Sequence, residues 1–261
     1  MIQPSRGITA LPLGDMPLFV SGMSVAAEVI AAAERAETTL SDDDVIVLAQ
    51  KIVSKSEGRF AQLSDVTAGE EARRLAAETD REPAMVQLIL DESSEILRAT
   101  PAAIIARQCS GHVLANAGID ASNVEGSEQG RVLLWPLDPD TSARAIRAEF
   151  ARLAGVKPAV LIADSMGRAW RIGTVGTAIG CAGLTVLDDQ RGKKADLFGR
   201  TLQATVIAVA DALAGIAALA MGEGAEGTPA AILRGAERWV TQDDGPGAAS
   251  GLRSVKEDMF R

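Results

Sequence analysis

Two short apolar runs without polar interruption constrain the fold of this chain most strongly. Residues 45–49 read VIVLA and residues 159–163 read AVLIA, which is typical of strands buried on both faces. Residues 138–142, DPDTS, indicate the start of a helix that runs to about Leu153 before Gly155 ends it. Because a helical crossover permits parallel pairing of strands, the pattern predicts a mixed α/β (α+β) fold, with mixed sheets flanked by helices.

The composition suits an aliphatic core and argues against one class of partner. Hydrophobic residues make up 47% of the 261 residues, yet only 3% are aromatic. We find no repeat or Pro/Ser-rich linker and predict a single domain over residues 1–261, with a subdivision near Gly155. The 26 basic and 35 acidic residues give a net charge of −9, which argues against nucleic-acid binding over a broad surface.

Targeting and redox signals are absent from the sequence. Residues 1–7 lack a basic segment followed by a long apolar one, so we expect no secretory signal. Asp211 and Gly215 interrupt the most apolar segment, residues 204–221, which favours a buried helix over a membrane span. Cys109 and Cys181 form no C-x-x-C pair, which argues against a zinc site or disulfide framework. We therefore expect a cytoplasmic protein without membrane contact.

The remaining periodic segments predict further helices and strands. The predicted helices cover residues 24–37, 68–78, 83–97 and 201–221. The predicted strands cover residues 102–106, 112–115 and 131–135. The single histidine, His112, excludes a multi-histidine metal site. Its apolar surroundings favour a strand residue or a hydrogen-bonding neighbour over a catalytic base.

Two glycine-flanked segments each carry an aspartate that has two interpretations. Asp120 lies in NAGIDASN, residues 116–123, and Asp164 follows the apolar run 159–163 directly. Either side chain is a turn residue that bonds its own backbone, or a hard oxygen ligand for a cation such as magnesium. The sequence of either segment alone does not distinguish a turn residue from a metal ligand.

Two further segments are candidate phosphate or nucleotide sites. Lys51, Lys55 and Arg59 cluster after the run 45–49, as either a solvated connection or a phosphate-binding group. Residues 222–227, GEGAEG, fit G-x-G-x-x-G, but a predicted helix precedes them and a strand follows, so we reject a dinucleotide-binding loop. A helix cap, or an acidic loop near a nucleotide or metal, remains open. No P-loop is present.

Six segments in order resemble one known enzyme family. They are MPLF (16–19), QKIVSKSEGR (50–59), NAGIDASNV (116–124), DPD (138–140), DSMGRAWR (164–171) and MGEG (221–224). Singly they are weak signals, but together they span more than two hundred residues. The chain resembles the coenzyme F420-0:γ-glutamyl ligase family, which adds glutamate to a deazaflavin cofactor precursor with GTP.

The resemblance implies a role for each matching position. The implied ligands of divalent metal, two ions of magnesium or manganese, are Asp120, Asp164, Ser165 and Glu223. Asp120, Asp164 and Lys55 would act in catalysis. The residues implied to contact GTP are Met16, Pro17, Leu18, Phe19, Gln50, Lys51, Lys55, Asn123, Met221, Gly222, Glu223, Gly224, Ala225, Glu226, Gly227 and Thr228. Asp15 departs from the family pattern, which leads us to expect glycine there.

The resemblance also implies an overall organisation and a reaction. It implies a family-specific fold of two intertwined subdomains and a homodimer, and we expect no C-terminal nitroreductase-like FMN domain in a chain of this length. GTP would phosphorylate the carboxylate of F420-0, and the amine of L-glutamate would displace phosphate to give F420-1 or longer γ-linked polyglutamate tails. Potassium is a further candidate cofactor. Two alternatives stay open: a ligase with another acceptor, and a non-catalytic nucleotide- or deazaflavin-binding protein.

Overall fold

The computed structural model describes residues 7–258, which form six α-helices and twelve β-strands. The helices are α1 (Val25–Arg35), α2 (Gln50–Ser56), α3 (Glu70–Thr79), α4 (Pro83–Asp91), α5 (Pro139–Ala154) and α6 (Val209–Met221). The strands are β1 (Thr9–Leu13), β2 (Val45–Ala49), β3 (Phe60–Gln62), β4 (Ser93–Ala99), β5 (Ile104–Gln108), β6 (Val113–Ala115), β7 (Arg131–Leu133), β8 (Ala159–Arg168), β9 (Arg171–Ala182), β10 (Leu187–Asp189), β11 (Val206–Ala208) and β12 (Ala230–Arg234).

The two apolar runs lie side by side in a five-stranded mixed sheet. Its order is β1-β12-β2-β8-β9, and β2 and β8 pair in parallel with Val47 opposite Leu161. The other neighbours in this sheet pair antiparallel. The predicted mixed α/β architecture is confirmed.

Both faces of this sheet are covered, which explains the uninterrupted apolar runs. Ile46 and Leu48 face a cluster that includes residues of α1 and α5, whereas Val45 and Val47 face a cluster with α6. Alternate side chains of a strand point to opposite faces, so a strand between two layers needs apolar residues at every position. Burial of each such aliphatic side chain stabilises the fold by about 1.5–3 kcal/mol.

A third apolar cluster lies between α2 and α5 in the chain. It joins α3 and α4 to the three-stranded sheet β4-β5-β6 and the pair β3-β7. The segment with Asp120 connects β6 to β7, and the backbones of Asp120 and Leu133 exchange two hydrogen bonds of 2.8 and 3.1 Å. The backbone position of Asp120 is therefore fixed by its pairing with Leu133 of β7. The predicted subdivision near Gly155 stays a prediction.

Two predicted helices are shorter in the structure. α4 ends at Asp91, and residues 93–97, which we predicted to continue it, belong to β4, whose partner is β5. α6 begins only at Val209, because residues 206–208 form β11 and pair with β10. Partners distant in sequence override local helix propensity in both places. None of the helices between residues 7 and 258 has the length and apolar composition that a membrane span requires.

The DPD motif and a glycine of β9 have structural roles beside α5. Asp138 caps α5 by accepting a hydrogen bond from the Thr141 N–H at 3.0 Å. Asp140 accepts from the backbone N–H groups of Cys181 and Ala248 at 2.8 and 2.7 Å. Gly180 allows close approach, because a Cβ there would lie 2.4 Å from the carbonyl oxygen of Pro139. Gly180 therefore serves close packing of β9 against the start of α5.

We expect Arg147→Met to destabilise the fold strongly. This side chain is 1% exposed and donates to the carbonyl oxygens of Pro158 and Thr241 and to the Asp244 carboxylate at 2.9, 2.6 and 2.7 Å. Removing one partner of a buried charged network typically costs about 3–5 kcal/mol. Urea unfolding measures the effect.

The matched control for Arg147→Met is Arg152→Met on the same helix. Among residues 7–258 its exposed side chain makes only an i,i+3 pair with Glu149, so the free energy of unfolding should change by less than about 0.5 kcal/mol. Equal midpoints for both variants would contradict the role given to Arg147.

Candidate active site

One cavity of about 830 Å³ opens where the parallel pairing of β2 with β8 ends, at Ala49 opposite Ala163. Open α/β sheets commonly bind ligands at this edge. The predicted site residues that line it are Met16, Pro17, Leu18, Phe19, Gln50, Lys51, Lys55, Asp120, Asn123, Asp164, Ser165, Met221, Gly222, Glu223, Gly224, Ala225, Glu226, Gly227 and Thr228. The structure therefore brings every residue of the predicted site together around one space.

Asp120 is held by a lysine and by its own loop. Its Oδ2 lies 2.8 Å from Lys51 Nζ, and its carboxylate accepts from the Ser122 N–H at 2.7 Å and the Ser122 hydroxyl at 2.9 Å. Burial alone would raise the pKa of Asp120, but the hydrogen bonds from Lys51 and Ser122 and the Lys51 charge outweigh burial and lower it. Asp120 is thus an ionised carboxylate with fixed geometry.

Asp164 lies within a strand, and our placement of it after the strand was wrong. β8 continues to Arg168 because residues 164–168 pair with β9 in a long hairpin, with Asp164 opposite Thr177. Its carboxylate accepts from Trp135 Nε1 and from the Ser165 N–H, each at 2.8 Å. Burial raises the pKa of Asp164 to about 6, against the lowering effect of these two donors. A cation at this carboxylate would favour the ionised form.

Trp135 is packed so that its indole N–H has one position. The side chain is fully buried, and a Cβ on Gly118 would lie 2.3 Å from Trp135 Nε1. Gly118 also has a φ of 78°, so only glycine suits this turn. The His112 ring packs edge-to-face against the indole, with 5.4 Å between the two ring centroids. Its Nδ1 is hydrogen-bonded to the Ser110 hydroxyl. His112 lies just before β6 rather than within it, and it is a hydrogen-bonding neighbour, the second of the two interpretations given above.

The acidic loop after α6 closes the cavity beside Ser165. The Ser165 hydroxyl donates to Glu223 at 2.5 Å, and the Gly224 N–H donates to Glu226 at 2.7 Å. α6 precedes this loop and β12 follows it, so the structure has the helix-then-strand order on which we rejected a dinucleotide-binding loop. The loop therefore contributes the carboxylates of Glu223 and Glu226 to the lining of the cavity.

The basic segment after β2 forms α2 rather than a solvated connection. Lys51 contacts Asp120, and Lys55 Nζ donates to the carbonyl oxygen of Asn123 at 2.6 Å. The Asn123 amide in turn donates to the carbonyl oxygen of Gly224 at 3.2 Å. Burial, and then the nearby charge of Lys51, lower the pKa of Lys55. An anion beside Lys55 would stabilise its charged form.

The departure at Asp15 has a conformational explanation. Its φ is 54°, in the left-handed region that glycine adopts most easily. Aspartate is among the residues that tolerate this region, and Arg35 donates to the Asp15 carbonyl oxygen at 2.8 Å. The turn that delivers residues 16–19 to the cavity thus forms without glycine.

The donor chemistry of the cavity fits divalent metal bound jointly with phosphate. Asp120, Asp164, Glu223 and the Ser165 hydroxyl offer the hard oxygens that magnesium prefers. No group of three His, Cys, Asp or Glu side chains within residues 7–258 is close enough to hold an ion by itself. Magnesium commonly uses one or two carboxylates, water and substrate phosphates instead of a closed protein cage.

Four contributors to the site were not predicted from the sequence. Ser122 and Trp135 support the two aspartates, while Arg131 and Phe60 line the cavity. Arg131 and Trp135 both belong to residues 131–135, which we predicted as a strand and of which β7 comprises Arg131–Leu133. Which face of that strand meets the cavity depends on tertiary packing.

Comparison with known proteins identifies the family. A sequence model of the family described as F420-0:Gamma-glutamyl ligase matches residues 14–235. The chain belongs to this family. It is therefore a ligase of the class that forms carbon–nitrogen bonds.

Individual relatives of this ligase align over most of both chains. The Coenzyme F420:L-glutamate ligase of Methanothermobacter thermautotrophicus is 41% identical over 255 residues, which cover 98% of this chain and 99% of the relative. The protein of the same name from Methanocaldococcus jannaschii is 39% identical over 262 residues and covers 100% of each chain. The one from Haloarcula marismortui is 45% identical over 204 residues, or 76% of this chain and 77% of the relative.

Proposed function

We propose that this ligase joins L-glutamate to coenzyme F420-0 at the expense of GTP, releasing GDP and phosphate. The observation that carries the proposal is the convergence of five separate segments on one cavity, which carboxylates and lysines line together. The names of the relatives support the glutamate and deazaflavin substrates. We assign GTP as the nucleotide substrate because residues 16–19, 50–55 and 221–228 resemble the segments that the family resemblance implies to contact GTP.

Asp120, Asp164, Ser165 and Glu223 would hold two divalent cations, magnesium or manganese. When bound, these ions neutralise the charge that develops on the transferred phosphoryl group. The protein residues fix the ligands: Lys51 and Ser122 orient Asp120, and Trp135 orients Asp164. Coordination shared between protein oxygens and substrate phosphates agrees with the absence of a group of three His, Cys, Asp or Glu side chains among residues 7–258.

The reaction needs an activated acyl group, because a free carboxylate does not react with an amine. A carboxylate oxygen of F420-0 forms a bond to the γ-phosphorus of GTP, and the bond to the GDP oxygen breaks. The amine of glutamate then attacks the acyl phosphate, loses a proton and expels inorganic phosphate. F420-1 again carries carboxylates, so repetition would give longer γ-linked tails.

Positioning explains how the chain works with a single histidine. Phosphoryl transfer depends mainly on alignment and electrostatic stabilisation of charge rather than on an imidazole base. Lys55 lies on α2 beside Asn123 and would contact the phosphates, and the loop of residues 221–228 would enclose the nucleotide. The homodimer, the cytoplasmic location and a potassium requirement stay predictions.

Mass spectrometry of the deazaflavin after incubation tests the proposal. F420-0, GTP, glutamate and magnesium together should yield F420 with one or more added glutamyl units, and omission of GTP should abolish this product. Amide formation only with another acceptor would support the first alternative. GTP binding without GDP formation, with all substrates present, would support the non-catalytic one.

We expect Lys55→Met to raise the KM for GTP by about tenfold or more, because it removes a charged hydrogen bond to phosphate. Steady-state kinetics at saturating glutamate and F420-0 measure the effect. Lys193→Met removes an exposed lysine outside the cavity and should behave as wild type. An unchanged KM for GTP in Lys55→Met would exclude a phosphate contact.

A further inference from the structure

Arg131 is a cation of the cavity to which the family resemblance assigns no role. It is the first residue of β7, which pairs with β3, and it lines the cavity together with Phe60 of β3. Its guanidinium carbon lies 4.0 Å from the centroid of the Phe60 ring. This stacking orients the guanidinium plane and leaves the N–H groups on its edges available.

The other two cations that line the cavity already have protein partners. Lys51 Nζ contacts Asp120 at 2.8 Å and the Ser122 hydroxyl at 2.5 Å, and Lys55 donates to the carbonyl oxygen of Asn123. By contrast, no carboxylate lies within 4.0 Å of the Arg131 guanidinium in the described part of the chain, residues 7–258, nor does an acceptor bond it there. Arginine keeps its charge and five donors in any protein setting.

The proposed reaction brings an anion that needs such a partner. L-Glutamate carries two carboxylates, and five of the eight charged side chains around the cavity are acidic. The acidic lining residues are Asp120, Glu125, Asp164, Glu223 and Glu226. These would repel the amino acid unless a cation receives it, whereas metal ions and Lys55 serve the phosphates in the proposed function.

We propose that Arg131, oriented by Phe60, binds a carboxylate of the substrate glutamate. Two parallel N–H groups of a guanidinium match the two oxygens of a carboxylate, which gives direction as well as charge. This inference rests on the proposed function and assigns the subsite of the attacking amino acid. The same edge fits the carboxylate of F420-0 or a phosphate of GTP, and the kinetic arms below separate these sources.

The test measures KM for each substrate in Arg131→Met and Arg131→Lys. Arg131→Met should raise KM for glutamate by about 10- to 100-fold, the usual effect of losing a charged hydrogen bond. The KM values for GTP and F420-0 should change by less than about threefold. Arg131→Lys keeps the charge but loses the paired donors, so its KM for glutamate should lie in between. Arg200→Met, an exposed arginine outside the cavity, is the matched control.

Two substrate analogues identify the bound carboxylate. L-Glutamine has an amide in place of the side-chain carboxylate, and L-isoglutamine has an amide in place of the α-carboxylate. The analogue that lacks the carboxylate bound by Arg131 should lose no further kcat/KM in Arg131→Met, whereas glutamate should lose about 10- to 100-fold. A loss of kcat/KM for glutamate that is absent for one analogue cannot arise from a general loss of folding, because unfolding would lower the activity toward every substrate.

The outcomes separate the two proposals. If wild type adds no glutamate to F420-0, the proposed function is wrong. If wild type is active but both Arg131 variants keep the wild-type KM for glutamate, the Arg131 assignment alone is overturned. A rise confined to the KM for GTP or for F420-0 also overturns it and moves Arg131 to that substrate.

Discussion

Asp164→Asn and Asp120→Asn should each reduce glutamyl ligation by at least about 100-fold, or about 3 kcal/mol in barrier height. Asparagine keeps the size of each side chain and removes its negative charge. In Asp164→Asn the amide oxygen can still accept from Trp135 Nε1, which donates to the carboxylate at 2.8 Å in wild type. The loss should therefore reflect metal and phosphate binding rather than packing. Product formation by mass spectrometry measures it.

Asp243→Asn is the matched control for both aspartate variants. Asp243 is exposed and does not line the cavity, so the same chemical change there should leave ligation at the wild-type rate. Thermal unfolding measures whether all three variants are folded. Full activity in both Asp120→Asn and Asp164→Asn would remove the metal-binding assignment.

Trp135→Phe should weaken manganese binding by about 10- to 100-fold, the usual effect of removing a group that hydrogen-bonds a metal ligand. Phenylalanine retains an aromatic ring but lacks the N–H that holds Asp164 Oδ2. The remaining donor, the Ser165 N–H at 2.8 Å, contacts only Oδ1. Manganese titration followed by electron paramagnetic resonance measures affinity without any turnover.

Trp239→Phe is the matched control, because Trp239 packs against the apolar cluster of α6, with Arg238 stacked on its ring, and does not line the cavity.

A fluorescence titration gives a second test. The double variant Trp170→Phe/Trp239→Phe leaves Trp135 as the only one of the three tryptophans. Its fluorescence should change on titration with magnesium, and Asp164→Asn in the same background should suppress the change. Wild-type manganese affinity in Trp135→Phe would refute the positioning role.

The sequence predicted the parts of the fold that local patterns encode. The runs 45–49 and 159–163 are apolar at every position, so the sequence alone suffices to assign both to buried strands. The helix before the second run, which Gly155 ends, was recognisable from its end signals. Residues 93–97 were misassigned because β4 is stabilised by its partner β5, and pairing partners are not visible in a local pattern.

The sequence motifs named residues that the structure places around one cavity, but they did not predict how those residues are arranged. Family motifs named Asp120, Asp164 and Glu223, and all three line one cavity. The contact between Trp135 and Asp164 joins residues 29 positions apart, and the stacking of Arg131 on Phe60 depends on the pairing of β3 with β7. Such contacts follow from tertiary packing and strand register, which the motif spacing does not specify.

Isotope transfer tests the central claim, GTP-dependent activation of the acceptor carboxylate, most directly. F420-0 labelled with oxygen-18 in its carboxylate is incubated with GTP, glutamate and magnesium, and the products are analysed by mass spectrometry. The proposed mechanism predicts one labelled oxygen in inorganic phosphate for each amide formed, with one GDP released. Amide formation without label in the phosphate, or phosphate release without any glutamyl product, would contradict it.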